Sequence, residues 1–211
     1  MTAHEPSAGS GPGRLIAVSG TDGSGKSTLV AALLARLEAE GCRAMAVSPL
    51  KPPFAPVLPW ARESAVAAEL KELWMAQYVA MAFADQVERI VRPAVLKGVC
   101  VVADRWVLDH LANQAALGVP PQALAPWFDG APVPDTHVVL DVPPQIAAER
   151  IAARKGPRGF GDRISFITRA RTGMLDSALR PAHSGIRVLD GTRPTAELVR
   201  AVLGEARVNQ L

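Results

Sequence analysis

The sequence has two cysteines, one tyrosine, no dense run of one charge sign, and nothing near the roughly 20 apolar residues needed to span a bilayer. Each scarcity excludes something. Cys42 and Cys100 sit in apolar or strand-like surroundings and read as reduced core residues of a cytosolic protein, not as a disulfide. The N-terminus lacks the basic start and apolar run of a signal peptide, so the chain is expected in the cytoplasm with no membrane partner. The formal charge is only +3 and its Lys and Arg residues are dispersed, which argues against nucleic acid and suits a small anionic molecule. His4, His137 and His183 lack metal-ligand spacing, so no zinc site is expected, and His110 reads as structural.

What is present is a chain of 211 residues, 49% apolar and 20% charged, long enough to bury a substantial core. Residues 1–13, rich in Gly, Pro, Ser and Ala, read as a disordered tail, leaving 14–211 as one domain. Short apolar runs at Leu15 to Val18, Ala44 to Val47, Val99 to Ala103, Thr136 to Leu140 and Ile186 to Leu189 read as buried strands. Helical spacing is expected from Leu29 to Glu40, from about Arg62 to Leu96 with one break, and from Leu108 to Leu117. It returns around Gln122 to Phe128, then at Ile146 to Arg154, Ile164 to Leu179 and Thr195 to Arg207. Pro49 to Pro59 and Lys155 to Gly161 are loops by composition. Strands alternating with helices make an α/β fold around a parallel sheet.

The chemistry is concentrated after the first strand. Gly20, Gly25, Lys26 and Ser27 satisfy G-x-x-x-x-G-K-[ST] between a strand and a helix, the context this phosphate-binding motif requires. Gly20, Asp22, Gly23, Ser24, Gly25, Lys26, Ser27 and Thr28 are therefore the candidate nucleotide contacts. Glycines let backbone N–H groups turn toward the phosphates, Lys26 supplies a point charge, Ser27 a Mg²⁺ ligand, and Thr28 is expected to cap the turn. Asp104 closes an apolar strand and is the candidate Mg²⁺ carboxylate, with Asp141 a rival by the same test. Arg105 tips the choice, because an Asp-Arg pair at a strand's carboxyl end offers a metal-side carboxylate and a phosphate-gripping guanidinium together. A third feature, the basic loop with Arg150, Arg154, Lys155, Arg158 and Arg163, could close over the transferring group.

Together these residues resemble the thymidylate kinase family of P-loop nucleoside monophosphate kinases, over Arg14 to about Arg207. The loop from Gly20 to Thr28 is the family's form of the P-loop. Asp104-Arg105-Trp106 stands where the family has Asp-Arg-Tyr, followed by Ala112 and Gln114. Leu140-Asp141-Val142, Arg150, Phe166, Arg169 and Arg171 extend the match. The resemblance implies a P-loop NTPase-type five-stranded parallel sheet, a mobile lid at about 154–163, a homodimer, and transfer of the ATP γ-phosphoryl group to a monophosphate with Mg²⁺. It puts Asp22 near the acceptor sugar. Some members carry an arginine inside the P-loop where this chain has Gly23, so the catalytic arginine is expected from the lid, as Arg154 or Arg158.

The acceptor side departs from the family. Ser48-Pro49-Leu50-Lys51-Pro52-Pro53 replaces a Glu-Pro-Gly-Gly-Thr type loop. Phe83 aligns with the base-reading arginine and Val79 with the stacking phenylalanine, with Tyr78 adjacent; Asp109 and Asn113 replace a serine and a tyrosine. Tyr78, Phe83, Arg105, Asp109 and Asn113, with Asp22, are thus the expected acceptor contacts. Since Phe83 cannot donate a hydrogen bond to thymine, thymidylate is expected to be a poor acceptor. Three functions stay open at this point: a nucleoside monophosphate kinase; a kinase of a modified nucleotide, nucleoside or other small molecule; and a nucleotide-binding regulator without catalysis.

Overall fold

The computed structural model describes residues 12–51, 65–153, 164–180 and 185–204. Five strands, β1 (Leu15–Gly20), β2 (Ala44–Val47), β3 (Cys100–Asp104), β4 (Thr136–Asp141) and β5 (Ile186–Asp190), form one sheet in the order β2-β3-β1-β4-β5. Every pairing is parallel, and the register sets Val18 beside Asp104 and Gly20 beside Leu140. The chain leaves β1 for β2 on one side and later crosses from β3 over β1 to β4 on the other, so the crevice at the carboxyl end of β1 is the switch point where such sheets bind ligands.

The central strands are apolar without interruption because both faces are covered. On β1, Leu15 and Ala17 face one core cluster with Val101, Ala103, Ala76, Ala80 and Phe83. Ile16 and Val18 face the other, with Leu29, Leu33, Leu37, Val102 and Leu198. Helix α1 (Lys26–Ala39) delivers Leu29, Leu33 and Leu37 to that second cluster at four-residue spacing, and burying each such side chain is worth about 1.5–3 kcal/mol. The first cluster is roofed by α2 (Ala68–Gln86), which continues through a π-helical turn (Val87–Val91) into α3 (Arg92–Leu96). The wide turn precedes Pro93, whose ring cannot pack under the carbonyl four residues back. α4 (Val107–Ala116), α5 (Pro144–Ala152), α6 (Ile164–Ala178) and α7 (Thr195–Leu203) complete the layers.

Several expectations need correction. The segment around Gln122 to Phe128 is two short 3₁₀ turns, Pro121–Ala123 and Ala125–Phe128, because Pro121 and Pro126 fix φ and remove donors a longer helix would need. The long helix starts at Ala68, and residues 62–64 lie outside the described residues. The last helix stops at Leu203, where Gly204 turns left-handed with φ +78°. Both cysteines are free; Cys100 is half-buried and packs against the second core cluster, whereas Cys42 is exposed and is not a core residue. Among the described residues no helix is long and apolar enough to cross a membrane. The tail at 1–11 and the whole of the expected lid at 154–163 lie outside the described residues.

Candidate active site

β1 runs straight into the glycine loop, and α1 starts at Lys26. Gly20, Gly23 and Gly25 have φ of +146°, +80° and +98°, a region side chains rarely adopt. A Cβ on Gly23 would lie 2.3 Å from the Ala147 carbonyl oxygen, so no larger residue fits this turn. Gly25 is the N-cap of α1 and no side chain bonds the first turn, which leaves its amides available to an anion. Thr28, expected to cap the turn, is exposed at the third position of α1.

Lys26 is buried and its Nζ donates to the Thr21 carbonyl oxygen at 2.7 Å. Burial, aided by the nearby Arg105 cation, lowers its pKa to about 8, while Asp109, Asp22 and Asp104 pull the other way. Across the loop, Ser27 Oγ donates to Asp104 Oδ2 at 3.1 Å, and Lys51 Nζ approaches the same oxygen at 3.4 Å. A cavity of about 120 Å³ lies among Asp22, Gly25, Lys26, Ser27, Lys51, Asp104 and Arg105. Asp141 is placed differently: Arg171 grips both its oxygens at 2.6 and 2.9 Å, a bidentate pair that leaves little of the carboxylate for a cation.

Arg105 sits at φ +80°, the single non-glycine positive φ among the described residues, a conformation that costs about 1–2 kcal/mol. Its amide donates to the Val18 carbonyl oxygen at 3.0 Å. Its guanidinium donates to the Gly20 carbonyl oxygen at 3.3 Å and to Asp109 Oδ1 at 3.4 Å, and pairs with Asp22 Oδ1. It is therefore held by the phosphate loop at one end and by α4 at the other.

Two expected acceptor contacts lie elsewhere. Phe83 has 0% exposure and packs edge-on against Trp106, with ring centroids 4.8 Å apart, and against Phe128 at 5.1 Å. Its apolar neighbour Val79, four residues back on α2, is also buried. Asp109 likewise has 0% exposure and lies beneath the phosphate loop, bonded to Ser19, Gly20, Trp106 and Arg105. Neither can touch an acceptor. Tyr78 on α2 and Asn113 on α4 are half-buried, and neither lines the phosphate cavity. His110 is enclosed, bonded through Nε2 to the Ala76 carbonyl oxygen at 2.9 Å, and burial lowers its pKa to about 4. Arg154 and Arg158, with Lys155 and Arg163, lie outside the described residues.

Other features had little or no signal in the sequence. Arg150 does not lean over the phosphate cavity; its Nη1 donates to the carbonyl oxygens of Gly23, Ser24 and Gly191 at 3.3, 3.5 and 3.3 Å, bracing the loop from behind. A second cavity, of about 320 Å³, opens beside it between Thr28, Arg193 and Thr195. The turn Gly191-Thr192-Arg193-Pro194 after β5 was the available clue to that wall. Lys51 could be found only through the fold, because its place depends on the end of β2 meeting the end of β3. A further cavity, of about 510 Å³, lies away from the loop, beneath α4 and beside His137.

Residues 18–202 match the family model described as thymidylate kinase. A thymidylate kinase of Xanthomonas oryzae pv. oryzae is 31% identical over 216 residues, covering 94% of this chain and 94% of that protein. One from Akkermansia muciniphila is 33% identical over 177 residues, covering 82% and 80%. One from Xanthomonas campestris pv. campestris is 36% identical over 143 residues, 67% of this chain, and the match spans 62% of that relative's length.

Proposed function

Because the chain belongs to the thymidylate kinase family, we propose that it transfers the γ-phosphoryl group of ATP to a nucleoside monophosphate. The observation that carries the reading is the convergence of Lys26, Ser27, Asp104 and Arg105 on one cavity at the sheet's switch point. A glycine cradle in which a Cβ on Gly20 or Gly23 would collide with backbone, and an uncapped helix start, fit a triphosphate. The hydroxyl of Ser27 and the carboxylate of Asp104, 3.1 Å apart, fit a hard cation that prefers oxygen ligands. Bound there, Mg²⁺ would supply positive charge against the phosphates.

The chain's own residues divide the remaining work. Lys26, largely desolvated, supplies charge to the triphosphate where water screens it little. Arg105, at the end of β3 on the side of β2, presents its guanidinium to the acceptor phosphate, with Asp22 fixing its direction. Lys51, 3.4 Å from Asp104, adds a cation on the same side, and Asp104 would hold the Mg²⁺ with Ser27. A phosphate acceptor needs no strong general base, in keeping with a site that has no histidine among the residues lining the cavity. Arg154 and Arg158 are proposed to add charge over the transferring group.

The relatives are named for thymidylate, so thymidylate heads the candidate acceptors. The replacement at position 83 does not argue against it, because that ring belongs to the core. A second copy of the chain is proposed to pack on α2, where Leu70, Trp74 and Met81 share a face and are each more than 40% exposed. ADP release, measured across nucleoside monophosphates and nucleosides, tests the reading. Turnover with a monophosphate supports it; turnover with nucleosides alone moves the acceptor to another class.

A further inference from the structure

Asp109 is a charged residue with no route to solvent and no route to a substrate, and it has four donors. Its Oδ1 accepts from the Gly20 amide at 3.1 Å and from Arg105 Nη1 at 3.4 Å. Its Oδ2 accepts from Ser19 Oγ at 2.5 Å and from the Trp106 amide at 2.9 Å. Four donors saturate a carboxylate. Ser19 is in turn bonded to His137 Nε2 at 2.8 Å, so the cluster is rooted in β4 as well as in β1.

A sealed carboxylate is costly to bury unless every lone pair is met and a cation stands beside it. Here the cation is Arg105, the residue whose backbone occupies the strained φ of +80°. Such a conformation persists only where its surroundings over-determine it. Asp109 supplies that determination from both sides, holding the guanidinium of residue 105 and the amide of residue 106. Through the Gly20 amide the same oxygen that meets Arg105 also fixes the first glycine of the phosphate loop. One buried side chain therefore ties the acceptor-side cation to the triphosphate cradle, beside the direct contacts that Arg105 makes with Gly20 and Asp22.

We propose that Asp109 is a positioning residue for phosphoryl transfer, whose carboxylate holds Arg105 at a fixed place relative to the phosphate loop so that the acceptor phosphate meets the triphosphate correctly. This rests on the proposed kinase reading. Asp109 touches no reactant; it acts through Arg105. A merely stabilising carboxylate would leave kinetic constants alone once the protein is folded. A positioning carboxylate raises the acceptor KM and lowers kcat, while Mg-ATP binding on its own changes little.

The test is a double-mutant cycle with Asp109→Asn and Arg105→Ala, using thymidylate and whichever monophosphate turns over best. Wild-type turnover is measured first, so failure of the kinase reading is seen before any variant is made. Mg-ATP affinity is read separately by equilibrium binding without acceptor. The expected result for Asp109→Asn is an acceptor KM raised at least tenfold, with Mg-ATP affinity within about threefold of wild type. In the Arg105→Ala background the same substitution should change the acceptor KM by less than about twofold, because its route of action is gone. Equal effects in both backgrounds, or a lowered melting temperature with unchanged constants, would overturn the proposal. Should Asp109→Asn not fold, Ser19→Ala removes the shortest of the four bonds and carries the same cycle, with a rise of a few fold expected only when Arg105 is present.

Discussion

The phosphate loop and the helix pair α2 and α4 border the same end of the sheet, but they are specified in different ways. The loop is made by backbone: three glycines at positive φ, an uncapped helix start, and one lysine held by a carbonyl. A side chain at Gly20 or Gly23 meets a hard steric limit, such as the 2.3 Å approach that a Cβ on Gly23 would make. The helix pair offers side chains, and whether each faces core or cleft depends on helix rotation. Phe83 and Asp109, both expected at the acceptor, lie at 0% exposure, while Lys51 reaches the cavity from beyond the end of β2. A site built of backbone is pinned by its glycines; a site built of side chains drifts with packing.

The sharpest way to break this contrast is Lys26→Ala. Removing the buried ammonium should cut kcat by about 10³-fold or more while the fold survives, since it bonds the Thr21 carbonyl oxygen of the loop and its buried charge is a cost to the fold. Circular dichroism and steady-state rates check it, and wild-type turnover would remove Lys26 from the chemistry. On the other side, Phe83→Ala should behave as a core deletion, costing about 3–5 kcal/mol of stability. Chemical denaturation measures this. A stable variant with altered acceptor preference would return Phe83 to the site.

The strand ends supply a smaller and more discriminating effect. Asp104→Asn should lower kcat by about 10²-fold and raise the Mg²⁺ needed for half-maximal rate. Asp141→Asn should mainly lower stability, because it breaks the bidentate pair with Arg171. A larger catalytic loss at Asp141 would reverse the assignment.

The extent to which the sequence foretold this arrangement follows the same division. All five strands, their parallel pairing and the phosphate loop were legible, because buried strands are apolar runs and the loop needs its glycines in fixed places. Spacing alone could not separate Asp104 from Asp141; only the fold brings Ser27 to one and Arg171 to the other. Apolar residues four apart on α2, such as Val79 and Phe83, look the same whether they line a cleft or a core, so Phe83 was misread. Asp109 was misread for the opposite reason. A charged residue after Asp-Arg-Trp suggests a ligand contact, and nothing local reveals that Ser19, Gly20 and Arg105 converge on it.

Two further effects are small but specific to the loop. Lys26 has a pKa near 8 in the free protein, lowered from 10.5 chiefly by burial, so the ammonium is lost as pH rises through about 8. Burying it therefore weakens the fold fully below that pH, and the penalty fades as pH rises toward 10.5, the ordinary value. A bound triphosphate favours the charged form, so at pH near 8 nucleotide binding should take up about half a proton. Calorimetry in buffers of different ionisation enthalpy reads this, and proton release would contradict it. Ser24 Oγ is buried without a hydrogen-bond partner among the described residues. Ser24→Ala should accordingly stabilise by about 1 kcal/mol, a rise of about 2–4 °C in Tm. A lower Tm would show that the hydroxyl has a function in the loop.

The most direct test of the central claim follows the phosphoryl group itself. Purified protein is incubated with Mg²⁺, γ-phosphate-labelled ATP and a nucleoside monophosphate, thymidylate first, and the products are separated. The account predicts label in the nucleoside diphosphate, none without acceptor, and none with Lys26→Ala. Label released only as inorganic phosphate, or retained wholly in ATP across all monophosphates, would contradict it.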